Sequence, residues 1–143
     1  MIDQITVFLE NDRGRLAAMC RTLGDAGISM RLLTIADTAN YGVARVICDM
    51  PQKACQVLSD AGYRAKVIPV CAVSIPDQAG GLAALFEAFD EAEINVEYAY
   101  CFSSSDGDAT NVLRVDDDER VAEIVHKAGF KLLGPKDVYL VQD

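Results

Sequence analysis

The hydrophobic pattern along the chain changes period in a fixed order, and it does so twice. Residues 5–9, Ile-Thr-Val-Phe-Leu, form a short β-branched and aromatic run that favours a strand. After a polar break, Leu16, Met19, Cys20 and Leu23 recur three and four apart, which predicts one apolar stripe on a helix. Asp12 stands at the helix entry as a candidate side-chain cap, and Ala26-Gly27 ends the helix. Residues 28–35 and 43–48 read as strands around a polar turn at 37–42. Pro51 suits a first helical turn, behind which Ala54, Val57, Leu58 and Ala61 make a second stripe that stops at Gly62. Residues 63–70 are the last extended piece of this half.

The second half runs through the same order. Residues 71–75 predict a strand, Leu82, Leu85, Phe86 and Phe89 a helix face, and 94–102 a long strand. A hairpin loop is expected at 103–108 and a returning strand at 109–115. Val121, Ile124, Val125 and Ala128 mark a last helix ended by Gly129, and 138–141 predicts a closing strand. The halves align residue by residue. Val7 meets Val73, Gly14 meets Gly80, Leu16 meets Leu82 and Ile28 meets Ile94, all at an offset of 66. Ala61-Gly62-Tyr63 meets Ala128-Gly129-Phe130 at 67, so one residue is gained, which we place near the start of the last helix. Each half thus reads strand-helix-strand-strand-helix-strand, an α+β fold of two tandem ferredoxin-like (βαββαβ) units covering 1–69 and 70–143. Each unit is expected to hold a four-stranded antiparallel sheet, with its amphipathic helices on one face. The nearly continuous apolar run at 67–73 leaves no flexible tether between them. A bare sheet face or edge invites aggregation, so a homodimer is expected.

The candidate chemistry lies where each first strand turns into a helix. Asn11-Asp12-Arg13-Gly14-Arg15-Leu16 and Asp77-Gln78-Ala79-Gly80-Gly81-Leu82 occupy the same place in the two units. A helix N-terminus leaves backbone N–H groups without internal partners and can hold a carboxylate. On the plainer reading, Gly14 and Gly80 only permit the turn. Repetition favours a binding role for a small molecule.

Composition narrows the classes. The chain has 143 residues, 51% apolar and 24% charged, which is the make-up of a folded protein. No apolar run approaches the roughly 18 residues needed to span a bilayer, and Met1-Ile2-Asp3-Gln4 lacks the basic start of a secretory signal, so a cytoplasmic protein is expected. The net charge is -9, with residues 1–66 close to neutral and the acids concentrated in 67–143. That balance, without a Lys/Arg cluster, excludes a nucleic-acid footprint. The five cysteines are odd in number and lack any Cys-x-x-Cys spacing. All but Cys55 fall in apolar runs and are expected to be buried free thiols. The single His126 is too isolated to anchor a metal set. Asp116-Asp117-Asp118 opens the last helix and is read as capping rather than as a calcium loop. No nucleophile stands beside a base; Tyr98, Tyr100 and Ser103 to Ser105 read as a sheet face and a hairpin loop, so no enzyme is expected.

Two such units, each opened by a strand, Asn/Asp-x-x-Gly-x-Leu and a helix, resemble a tandem ACT domain protein over nearly the whole chain. Ile75-Pro76-Asp77-Gln78-Ala79-Gly80-Gly81-Leu82 is the better match, whereas the first copy has Glu10-Asn11 where the second has Pro76-Asp77. The resemblance implies a stand-alone, non-catalytic regulatory module without a cofactor that binds an amino acid at an interface between units. By that likeness the loops 11–16 and 77–82 hold the ligand's charged ends, and the strand starts Ser29-Met30 and Asn95-Val96 supply backbone contacts. Main-chain N–H groups of Gly14-Arg15-Leu16 and Gly80-Gly81-Leu82 would meet the carboxylate, with Arg13 or Arg15 as a guanidinium partner and Asp12, Asp77 or Asn95 near the ammonium. Phe8, Leu9, Tyr98 and Tyr100 are plausible lining. The partner would be a metabolic enzyme or regulator. The alternative is a ligand-free module for homodimerisation or enzyme docking.

Overall fold

The computed structural model describes residues 1–37, 40–103 and 107–143, and of Ser103 the backbone alone. The loop serines Ser104 and Ser105 lie outside the described residues. In chain order the elements are β1 (Ile2–Glu10), α1 (Arg15–Asp25), β2 (Met30–Asp37), β3 (Tyr41–Cys48), α2 (Pro51–Asp60), β4 (Arg64–Pro76), α3 (Gly81–Glu91), β5 (Val96–Ser103), β6 (Asp108–Val115), α4 (Val121–Lys127), β7 (Lys131–Leu133) and α5 (Pro135–Val138). The expected strand-helix-strand-strand-helix-strand order therefore holds in both halves.

The chain folds as two compact units that exchange their ends. The first comprises Asp3–Ile68 with Val138–Asp143, and the second Pro69–Asp137 with Met1–Ile2. The hydrogen-bonded strand order is β2-β3-β1-β4-β6-β5, with β7 also on β4. This corrects the expectation of two separate four-stranded sheets. The physical reason is β4 itself. Residues 63–70 and 71–75, read as two strands, form a single strand because their apolar run contains no residue that must turn. Pro69 sits within it ahead of the rungs that begin at Cys71, where its missing N–H costs no bond to β6.

In the first unit, Ile5 pairs with Val46 and Val7 with Ala44, so alternate residues of β1 and β3 face one way. They meet Met19 and Leu23 of α1 and Ala54 and Leu58 of α2 in one buried cluster. The second unit repeats this with Cys71, Val73, Leu113 and Val115 against Leu85, Phe89, Val121 and Val125. The helical stripes read from the sequence are thus largely core, with Leu16, Leu82 and Ala61 as the exposed members. Leu16 and Leu82, the second residues of α1 and α3, are 37% and 39% exposed.

Register also relocates the extra residue of the second repeat. Ile5 opposite Val46 becomes Cys71 opposite Leu113, an offset of 66 on one strand and 67 on the other. Met30 and Cys48 likewise become Val96 and Val115. The insertion therefore lies between β5 and β6, where a hairpin absorbs it without disturbing the ladder, and not at the start of the last helix.

Three further expectations are corrected. Residues 138–141 form no strand: Gly134-Pro135 turns the chain into α5, whose start is closed by the Gly134 N–H donating to the Asp137 Oδ2 at 2.8 Å. The tail beyond it is strapped to the first unit. The Tyr139 hydroxyl accepts from the Asp3 N–H at 2.7 Å and donates to the Asp3 carbonyl at 2.8 Å. The Leu140 N–H donates to buried Asp49 at 2.8 Å, and the Met50 N–H donates to the Val141 carbonyl at 3.0 Å. Second, Cys101 is exposed and Cys20 half-buried, because β5 ends the ladder and α1 turns Cys20 to the rim of its stripe; all five thiols are free. Third, the acids at 116–118 do not cap α4, which starts beyond them at Val121. Asp116 accepts from the Asn95 N–H at 3.1 Å, Asp117 from the Glu119 N–H at 3.0 Å, and Asp118 pairs with Arg114 at 3.2 Å.

Candidate ligand site

The two strand-to-helix loops are conformational twins. Gly14 has φ 89° and ψ -10°, Gly80 φ 86° and ψ -10°. Both lie in the left-handed region that favours glycine, so each glycine is dictated by the turn. The chain closes each loop with the same bonds. Asn11 N–H donates to the Asn40 carbonyl at 3.1 Å and Asp77 N–H to the Gly107 carbonyl at 2.9 Å. Asp12 N–H donates to the Glu10 carbonyl and Gln78 N–H to the Pro76 carbonyl, at 2.8 and 2.9 Å.

The loops also use some of the donors expected to meet a ligand. The Arg15 N–H donates to the Asp12 carbonyl at 3.3 Å, and the Gly81 N–H to the Gln78 carbonyl at 3.2 Å. Neither Asp12 nor any other side chain caps α1 or α3. The left-handed glycine holds the cap position in each, which corrects the reading of Asp12 as the cap. Among the described residues, the N–H groups of Leu16 and Ala17, and of Leu82 and Ala83, have no hydrogen-bond partner. Of the expected donors, the loops thus spend those of Arg15 and Gly81 and leave those of Leu16 and Leu82.

A cleft of about 450 Å³ opens beside the first loop, inside the first unit. Its walls are Phe8, Leu9 and Glu10 from the end of β1, Arg15 from the start of α1, Tyr41 from the start of β3, and Gly62, Tyr63 and Arg64 where α2 turns into β4. Four elements end at this corner because β1 and β4 are neighbours in the ladder and β3 pairs with β1, placing Tyr41 opposite Glu10. Glu10 and Arg15 form an ion pair at 3.4 Å, both well exposed. The Arg64 guanidinium lies over the Phe8 ring, 5.9 Å from its centroid. Cations over ring faces are attracted by the ring quadrupole.

Of the residues expected to touch ligand, Arg15 lines this cleft, together with Phe8 and Leu9 from the expected lining. Asn11, Asp12, Arg13, Gly14 and Leu16 build its adjoining loop. Asn95 and Val96 line a separate, shallower cleft of about 440 Å³ in the second unit, with Phe86, Asp90, Ile94, Tyr98 and Ala99. Ser29 and Met30 line neither: the Ser29 hydroxyl accepts from Arg31 at 2.6 Å, and its carbonyl accepts from the Asp49 N–H at 3.0 Å. Asp77, Gln78, Ala79, Gly80, Gly81 and Leu82 form the second loop and line neither cleft. Glu10, Tyr41, Tyr63 and Arg64 escaped the sequence reading. A signal existed for Glu10 and Tyr41, where the second repeat has Pro76 and Asp108, but not for Tyr63 and Arg64, which meet Phe130 and Lys131.

A family model described as an ACT domain pair matches residues 1–141. The chain belongs to the ACT domain family. Its fold superposes on the crystal structure of protein BT0572 from Bacteroides thetaiotaomicron with a TM-score of 0.91 at 29% identity, covering 97% of this chain and 96% of that one. The regulatory subunit of aspartate kinase from Thermus thermophilus, in its ligand-free form, is similar at a TM-score of 0.65 and 19% identity, over 88% of this chain and 91% of that one. The corresponding subunit from Thermus flavus gives 0.63 and 21%, over 89% and 92%. No curated protein matches the chain. The chain is thereby homologous to non-catalytic ACT regulatory domains. Among the described residues no His, Cys, Asp and Glu group could hold a metal ion, and no helix is long and apolar enough to cross a membrane.

Proposed function

We propose that this ACT domain pair is a regulatory sensor that binds an amino acid or a similar small carboxylate without transforming it. The observation that carries this reading is the cleft of about 450 Å³ beside the Gly14 turn, where Arg15 and Arg64 meet an aromatic wall. That volume falls in the range of small-molecule sites, about 300–1,000 Å³. A carboxylate entering there meets guanidinium groups and the N–H donors of Leu16 and Ala17 at the start of α1. The same chain offers a precedent at the start of α2, where the Asp143 carboxylate accepts from the N–H groups of Gln52 and Lys53 at 2.8 and 3.1 Å.

In this account the second loop, with Asp77, Gln78, Ala79, Gly80, Gly81 and Leu82, and the strand starts with Ser29, Met30, Asn95 and Val96 remain candidate contacts. They would complete a site at an interface in a homodimer. The second loop would bind differently, because Ala79 and Gly81 stand where the first has Arg13 and Arg15. Occupancy is passed on as a bias between packing states of a metabolic enzyme or regulator, acting in the cytoplasm where five free thiols stay reduced. The test is a thermal-shift screen against the twenty amino acids and common metabolic carboxylates. A ligand of the folded state raises the melting temperature with its concentration over Kd. A clear hit supports the reading; a flat screen at millimolar concentration removes it.

A second reading, ligand-free assembly, is favoured by exposed apolar side chains in the first unit: Ile35 on the end strand β2 at 46%, Leu140 at 76% and Val141 at 50%. An end strand carrying such residues favours pairing with another chain. A flat ligand screen with an intact dimer would support it.

A further inference from the structure

We infer that the first-unit cleft takes one aromatic amino acid per chain, with the carboxylate on Arg64 and the ammonium on Glu10. This rests on the sensor reading above and narrows it to a ligand class and a stoichiometry.

The first argument is charge. The cleft wall carries Glu10, Arg15 and Arg64. Arg15 already faces Glu10 at 3.4 Å. Arg64 has no carboxylate within ion-pair distance among the described residues and lies instead over Phe8. One positive charge is therefore unmatched, and a planar guanidinium fork fits a carboxylate through two parallel N–H bonds. The Glu10–Arg15 pair is exposed and weak, so Glu10 can trade that partner for an ammonium group. A zwitterion satisfies both groups at once.

The second argument is the apolar wall. Phe8 and Tyr41 are 41% and 51% exposed, and Tyr63 joins them in the lining. Rings left this open lose area to water, and they recover it against another ring in an offset or edge-on arrangement. A short aliphatic side chain would cover little of three rings.

The third argument is the second repeat. By strand register and the alignment of the repeats, the positions of Phe8, Glu10, Arg15, Tyr41, Tyr63 and Arg64 are held there by Ser74, Pro76, Gly81, Asp108, Phe130 and Lys131. Neither arginine and only one ring survives. The same zwitterion has no equivalent seat, which sets the stoichiometry at one.

The test is calorimetric titration of the full chain with phenylalanine, tyrosine and tryptophan, beside the other amino acids. Saturation near one aromatic ligand per chain is expected. Arg64→Gln should weaken binding at least tenfold, and so should Tyr41→Ser, which reads the ring wall independently. Lys131→Gln should leave it unchanged. Saturation by a non-aromatic amino acid alone overturns the ligand class while the sensor reading stands. Two ligands per chain, or undiminished binding in folded Arg64→Gln and Tyr41→Ser, overturns the site. If no amino acid binds at millimolar concentration, the sensor reading fails and this inference falls with it.

Discussion

At the scale of single residues, backbone angle and burial make the firmest demands. A Cβ at Gly14 or Gly80 would touch nothing within 4 Å, so the cost of replacing either comes from φ alone. An L-residue held in the left-handed region loses about 1–2 kcal/mol. Gly80→Ala should therefore lower stability by that amount in urea unfolding without loss of the fold. Gly81 differs, since its added Cβ would stand 3.1 Å from the Pro76 carbonyl oxygen at an ordinary φ.

Burial pushes the Cys48 and Cys71 thiols up to about 12, with Asp49 adding to the effect at Cys48. The Tyr139 phenol is raised to about 12 by burial as well. These groups stay neutral in the folded chain while the unfolded chain loses their protons from about pH 9 to 10 upward. The unfolded state then binds fewer protons, so stability is fully present below about pH 9 and falls as pH rises toward 12. A melting-temperature series across that window should decline. Since thiolate is the reactive form, exposed Cys101 should alkylate first at pH 8, with Cys48 and Cys71 protected until unfolding, as peptide mapping would read.

At the scale of elements, the carboxy-terminal strap has the clearest consequence. Tyr139 is 7% exposed, and its hydroxyl serves both the N–H and the carbonyl of Asp3. Tyr139→Phe strands both backbone groups and should cost about 1–3 kcal/mol in denaturant unfolding. Asp143→Asn should destabilise in the same direction, by weakening the charged cap on α2.

The strap also marks where the sequence stopped being informative. Periodicity located the cores of α1 to α4, because burying a stripe is what makes those segments helical. It misread residues 138–141, since Val-Tyr-Leu-Val looks like a strand whether its backbone finds a ladder or is tied down by Asp3, Asp49 and Met50. The break before α5 was legible in Gly134-Pro135. The candidate site divides the same way. Arg15 was visible beside its glycine, whereas Tyr41, Tyr63 and Arg64 reach the cleft only because distant strand ends converge at one corner. The acids at 116–118 failed as caps for a partly similar reason: Asn95 claims Asp116 across 21 residues, while Asp117 and Asp118 are taken by their near neighbours Glu119 and Arg114.

At the scale of the whole molecule, repetition and asymmetry act together. The duplicated fold supplies two equivalent glycine turns, and the substitutions between repeats leave the two arginines, the glutamate and the three rings together at only one of them. The open apolar residues of the first unit argue for self-association. Sedimentation equilibrium should accordingly return a particle of twice the 15.5 kDa chain mass.

The central claim, that an amino acid is sensed beside the first glycine turn, is most directly tested by titrating uniformly 15N-labelled protein and following its amide resonances. The account predicts that an amino acid shifts a cluster of amides at 15–17 and 62–64, reaching saturation, while the ligand is recovered unchanged. Unmoved spectra at millimolar amino acid, or shifts confined to 94–99, would contradict it.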